Sequence, residues 1–195
     1  MSTYPSTLRA ISILNPYAML ITEGMKPYEH RPWNTSFRGL CLIQVSASTE
    51  CEEDFKEFLD AGDVTLAQIK QMRKSIIGFA EMTGTVWDEE YKLWAHRMEK
   101  PARFREPIPC PGALNYWTPY PNKPLQSKAF QQAWELIEAG DYRAADPGIY
   151  GAYFEDEGLE PLSALQYSIE ELEPNSQPRL FIASPDGELT EQLLT

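Results

Sequence analysis

Residues 24–39 read GMKPYEHRPWNTSFRG. A glycine ends one element, and a lysine, a glutamate, a histidine, two arginines and a tryptophan follow in close order. Along an extended chain, alternate side chains share a face. Glu29, Arg31 and Trp33 are therefore expected on one side, with Tyr28 and His30 on the other. Lys26 precedes Pro27 in the turn and can swing over the first face. An ammonium, a carboxylate, a guanidinium and an indole would then line one cleft. Lys26 would serve a phosphate or carbonyl oxygen, and Glu29 a base amino group or a proton transfer. Arg31 would serve a phosphate or orient Glu29. Stacking of a base on an aromatic ring is worth about 1–3 kcal/mol, and arginine adds planar, bidentate recognition. The alternative is a solvated chain of ion pairs worth about 0–1 kcal/mol. Trp33 reads equally as a stacking surface or as a cover over the end of the fold.

The elements on either side frame this stretch. LRAISIL (8–14) reads as a strand, with Asn15 as a helix N-cap and Pro16 at the first helical position. YAMLITE follows as a short apolar helix, and Gly24 supplies a left-handed C-terminal residue. Tyr17 is expected on the cleft wall. GLCLIQVSA (39–47) is an apolar strand. Residues 51–73 read as a helix in two pieces split at Gly62-Asp63, the second capped by Asp63 or Thr65. IIGFAEMTGTVW (76–87) is a long β run in which Gly78 and Gly84 suggest bulges. DEEYKLWAHRME (88–99) reads as a helix or structured insertion, which puts His96 on a helical surface. ALNYW (113–117) reads as a last strand, with Trp117 in the core. Trp87, Trp94 and Trp134 read as packing residues. PYPNKP marks a boundary. Beyond it, QSKAFQQAWELIEAG carries Phe130, Trp134 and Ile137 at helical spacing, and RLFIAS is a weak strand.

The composition, 43% hydrophobic and 24% charged over 195 residues, is that of a soluble globular protein. AISILNPYAMLI lacks a basic leader and is broken by Asn15-Pro16. No signal peptide and no membrane span are therefore expected, and a cytoplasmic location is. Cys41, Cys51 and Cys110 form no metal-binding spacing and read as reduced thiols. With only His30 and His96 besides, neither a metal site nor an organic cofactor is expected. The net charge of −12 is unevenly placed. The first 120 residues carry 13 Lys+Arg against 15 Asp+Glu, a net of −2; the last 75 carry 4 against 14, a net of −10. Local field, not global charge, draws a phosphate into a groove, so a near-neutral first part can still bind nucleic acid.

NPYAMLITEGMKPYEHRPWNTSFRG resembles the activating-signal-cointegrator homology (ASCH) domain, a relative of the PUA RNA-binding barrel. The matching positions are Asn15-Pro16-Tyr17-Ala18, Gly24, Lys26, Glu29, Arg31, Trp33 and Arg38-Gly39. FREPIPCPGALNYW is similar to the end of bacterial and phage members, so the resemblance covers about residues 8–118. It implies an α+β fold, a small PUA-like mixed β-barrel with inserted helices over residues 1–122. An acidic C-terminal extension, 123–195, is expected to pack on the barrel. The resemblance implies binding of RNA, single-stranded nucleic acid or a nucleoside-like small molecule through Lys26, Glu29, Arg31, Trp33, Tyr17, Asn15 and Arg38.

Some family members are amidohydrolases acting on N4-acetylcytidine, and others are ribonucleases. Lys26 takes the position of the amidohydrolase lysine, whereas Glu29 replaces its threonine. Lys26 and Glu29 are the catalytic candidates, and Glu89, Glu90 and Glu99 are possible third carboxylates. A third function is an interaction protein whose acidic C-terminal segment masks the cleft.

Overall fold

The computed structural model describes residues 4–51, 55–56 and 65–145, and the backbone of 179–183 and 189–193. It contains β1 (Arg9–Ile13), α1 (Tyr17–Thr22), β2 (Tyr28–Arg31), β3 (Gly39–Val45), α2 (Leu66–Met72), β4 (Ser75–Asp88) and β5 (Leu93–Pro109). β6 (Tyr116–Trp117), α3 (Pro124–Ala139) and β7 (Arg143–Ala144) follow. These lie in one compact unit, Met1–Leu159. In a second unit, Glu160–Thr195, β8 (Arg179–Ala183) pairs antiparallel with β9 (Leu189–Leu193). The first piece of the expected 51–73 helix falls largely outside the described residues. So does the acidic run FEDEG (154–158), and with it the masking role given to the C-terminal segment.

The first unit is built on one sheet in the order β2-β5-β4-β3-β1-β6, with β7 added beside β5. β1 and β3 are parallel and the other pairs are antiparallel. The sheet is curled and half open, with helices between its strands, in agreement with the expected PUA-like mixed barrel. Strands that are distant in the order meet through side chains. Arg31 on β2 reaches the Ser12 carbonyl on β1, and His96 on β5 reaches Tyr116 on β6.

Period-two alternation divides the apolar side chains between the two faces of the sheet. Ile11, Ile13, Cys41, Ile43 and Val45 join Ala18, Met19 and Ile21 of α1 in one cluster. Ala10 and Leu42 point the other way and join Phe79, Phe104 and Trp117 under α3, which contributes Ala129, Phe130 and Ala133. Phe130 is completely buried and packs 5.3 Å from the Trp117 ring. Burial of such a side chain is worth about 1.5–3 kcal/mol, which docks α3 on the barrel.

Local chemistry explains where the elements stop. Gly24, at φ +79, lets the chain leave α1, and the Met25 and Lys26 amides both donate to the Leu20 carbonyl. Thr65 and Gln68 form a reciprocal capping box at the start of α2. In β4 the register shifts between Ile76 and Gly78 and between Met82 and Gly84. A Cβ at Gly78 would stand 2.1 Å from the Ala102 carbonyl oxygen, so the close strand approach needs glycine there.

Three sequence expectations are corrected. Asn15 does not cap α1. Pro16 takes the N-cap position with no side-chain cap bond, and the Asn15 carboxamide is buried with Nδ2 4.0 Å from Met72 Sδ. Residues 88–99 are not a helix but a turn leading into β5. Asp88 Oδ1 accepts from the Glu90 and Tyr91 amides, and Trp87 and Trp94 pair across the hairpin at 5.5 Å. Turn chemistry and cross-strand aromatic pairing override helix propensity there. His96 consequently sits on a strand and is fully buried, not on a helical surface. The last strand is only Tyr116–Trp117, because Asn115 at φ +60 breaks the extended run before it.

Candidate functional site

β2 runs antiparallel to β5 with Glu29 opposite His96 and Arg31 opposite Trp94. Glu29 is only 7% exposed, and a buried carboxylate is tolerated when it is paired and hydrogen-bonded. Its Oε2 lies 3.2 Å from Lys26 Nζ and its Oε1 3.0 Å from Arg31 Nη2. Arg31 Nη2 also donates to the Ser12 carbonyl at 2.7 Å. Lys26 Nζ donates to the Tyr28 carbonyl and stands 5.8 Å from the centre of the Tyr17 ring. Lys26, Glu29 and Arg31 are thus one connected chain of charges, with Tyr17 at its lysine end.

Beside Glu29 lies a partly buried aromatic network around His96, which is fully buried. His96 Nε2 is 2.9 Å from the Trp33 carbonyl, and Nδ1 is 3.0 Å from the Tyr116 hydroxyl. A carbonyl only accepts, so Nε2 carries the proton; on the neutral ring Nδ1 accepts from the Tyr116 O–H. Burial pushes the His96 pKa down, against the opposing pull of the Trp33 carbonyl and the Glu29 charge. Trp33 packs edge-on against both His96 and Tyr116, at 4.8 and 5.6 Å, and Phe37 lies 4.8 Å from Tyr116.

On the outer side of this network is an open hollow of about 510 Å³. Trp33, Asn34 and Phe37 from the β2–β3 connection line it, together with Arg9, Asn115 and Tyr116. Burial raises the Tyr116 pKa, the Glu29 charge reinforces the rise, and Arg31 and Arg38 oppose it. The charge chain therefore acts electrostatically on the wall of the hollow. Hollows of about 300–1,000 Å³ are the size of small-molecule sites.

The candidate residues fall in four places. Lys26, Glu29, Arg31 and Tyr17 form the charge chain and its neighbour. Trp33 alone among them lines the hollow. Asn15 lies apart, against Met72, while Arg38 braces its own loop, with Nη1 donating to the Thr35 and Phe37 carbonyls. Arg9, Asn34, Phe37, Asn115 and Tyr116 in the hollow, and His96 behind it, are additional to the sequence reading. Continuing the alternation Glu29, Arg31, Trp33 to Phe37 would have found one of them. Arg9 and Tyr116 reach the site through the sheet topology and have no local signal.

No disulfide joins Cys41, Cys51 and Cys110, and Cys41 and Cys110 are buried. Among the described residues no group of three His, Cys, Asp or Glu side chains could hold a metal ion, and no helix is long and apolar enough to cross a membrane.

No protein-family model and no curated protein sequence matches the chain. Among solved structures it is similar to two single-substitution mutants of ZmASCH from Zymomonas mobilis. One is 20% identical over 52% of this chain and 75% of the other, with a TM-score of 0.30. The second is 17% identical over 68% and 96%, with a TM-score of 0.38.

Proposed function

We propose that the protein binds an unstacked base of single-stranded RNA, or a nucleoside-like small molecule, in the hollow beside the charge chain. The observation that carries this reading is the company the aromatic side chains keep. Trp33, Phe37 and Tyr116 share one open hollow with a guanidinium, Arg9, and two carboxamides, Asn34 and Asn115. Proteins that read RNA by sequence stack splayed bases on aromatic rings and hydrogen-bond their edges. Arg9 serves the phosphate or a carbonyl, Trp33 supplies the stacking face, and the carboxamides meet the ring edge. The Lys26–Glu29–Arg31 chain fixes β2, which leads into the Trp33 loop, with Tyr17 next to Lys26. Arg38 holds the loop in place. The test is fluorescence polarisation of a labelled single-stranded RNA at low salt. Saturable binding is expected, weakened about tenfold or more by Trp33→Ala, from the worth of one stacked base. A flat titration of the intact protein overturns the reading.

A hydrolytic step is the second reading, favoured by the Lys26–Glu29 pair at 3.2 Å. A lysine polarising an amide carbonyl stabilises the developing oxyanion, and a carboxylate within hydrogen-bond reach takes or returns the proton. Deacetylation of N4-acetylcytidine, abolished by Lys26→Gln while RNA affinity persists, would establish it. No turnover by the intact protein would remove it.

A further inference from the structure

The polar groups of the hollow are not equally able to choose their roles. Asn34 Oδ1 receives the Thr35 backbone N–H at 2.7 Å and the Thr85 hydroxyl, also at 2.7 Å. A backbone N–H can only donate, so the atom facing it must be the carboxamide oxygen, and the usual ambiguity between oxygen and nitrogen is removed. Thr85 on β4 comes from the far side of the loop and locks the same orientation. Both bonds use the oxygen, which leaves Nδ2 as the group that Asn34 offers to a ligand in the hollow it lines. Arg9, on the same lining, is a donor as well. Its Nη1 spans the Ser6 and Leu8 carbonyls, and every other N–H of the guanidinium can only donate.

We infer that Asn34, held by Thr85 and Thr35, is the specificity-determining residue of the hollow and selects a planar ring that presents a carbonyl oxygen, not an amino group, at that edge. The inference deepens the base-binding reading and rests on it. A ring with an amino group at the same place would set donor against donor, so the hydrogen bond gained with a carbonyl would be lost. Thr85 is a positioning residue: it acts on the ligand only through the carboxamide.

Two bases of the same shape separate this from stacking. Hypoxanthine and adenine differ at the six-position by a carbonyl against an amino group. The probes are labelled five-nucleotide RNAs, each with one base, hypoxanthine or adenine, flanked by abasic positions. The intact protein is expected to bind the hypoxanthine probe about tenfold more tightly, the worth of roughly one hydrogen bond. Asn34→Asp keeps an oxygen for Thr35 and Thr85 but offers a second acceptor, so the ratio should invert toward adenine even as overall affinity falls. Thr85→Val leaves only the Thr35 amide to orient the carboxamide and should reduce the ratio without changing charge. Equal affinities in the intact protein, or a hypoxanthine preference that survives both substitutions, overturn the inference while leaving base binding intact. Binding of neither probe, nor of any single-stranded RNA, overturns the base-binding reading and the inference together.

Discussion

Arg31 Nη2 lies 2.7 Å from the Ser12 carbonyl oxygen and 3.0 Å from Glu29 Oε1. One guanidinium therefore joins β2, at the end of the sheet order, to β1, and fixes a buried carboxylate on the way. The half-open barrel is held across its gap by a side chain in place of a backbone ladder. The hollow beside Trp33 depends on that closure, since its lining comes from both sides of the gap.

Removing this link should loosen the barrel. Arg31→Ala strands the Ser12 carbonyl and leaves Glu29 with Lys26 alone, and a hydrogen bond to a charged group is worth about 1.5–3 kcal/mol. A loss of about 2 kcal/mol in urea unfolding is expected. A loss below about 0.5 kcal/mol would show that the guanidinium does not close the sheet.

His96 makes stability depend on pH. Its folded pKa lies below the ordinary value of 6.5 because burial disfavours the imidazolium. Above that value both states are neutral and the full contribution is present. As pH falls below it, the unfolded chain takes up the proton first and stability is lost, by at most about 1.4 kcal/mol per pH unit, until the folded pKa is reached. The facing groups are Glu29 and Arg31 on β2, the Trp33 carbonyl and Arg38 beyond it, and Tyr116 on β6. Protonation also ends the Tyr116 hydrogen bond to Nδ1. Urea midpoints of the intact protein should fall as the pH drops below about 6.5, and His96→Gln should be less stable at pH 7.5 but flatter as the pH is lowered. Parallel curves for the two proteins would contradict the assignment.

The two glycines of β4 should behave differently. Gly78→Ala places a Cβ 2.1 Å from the Ala102 oxygen and 2.9 Å from Thr22 Cγ2, whereas at Gly84 nothing lies within 4 Å. Overpacking of this kind costs about 1–3 kcal/mol. Thermal unfolding should show a clear loss for Gly78→Ala and a change near zero for Gly84→Ala. Equal effects would mean that the β4–β5 approach at Gly78 is not tight.

The N-terminal block was legible because its signals are local. The apolar strand before Pro16, the left-handed Gly24 and the alternation through Glu29 and Arg31 each depend on neighbouring residues. The 88–99 hairpin was hidden because its helical composition is countered by a turn at Asp88 and by the Trp87–Trp94 pair, which exists only once the strands meet. Asn15 has the chemistry of a cap, but it is drawn into the interior beside Met72. The hollow was legible through Trp33 alone; Arg9, Asn34 and Tyr116 converge from three separate parts of the chain. The stretch at 24–39 thus contains the charge chain and one side of the hollow, while Arg9, Asn115 and Tyr116 join it only through the sheet topology.

The most direct measurement is the polarisation titration of labelled single-stranded RNA at low salt, with intact protein and Trp33→Ala side by side and circular dichroism confirming that both are folded. Base binding in the hollow predicts a saturable curve for the first and about a tenfold or greater weakening for the second. No saturation with the intact protein, or identical curves for two folded proteins, would contradict it.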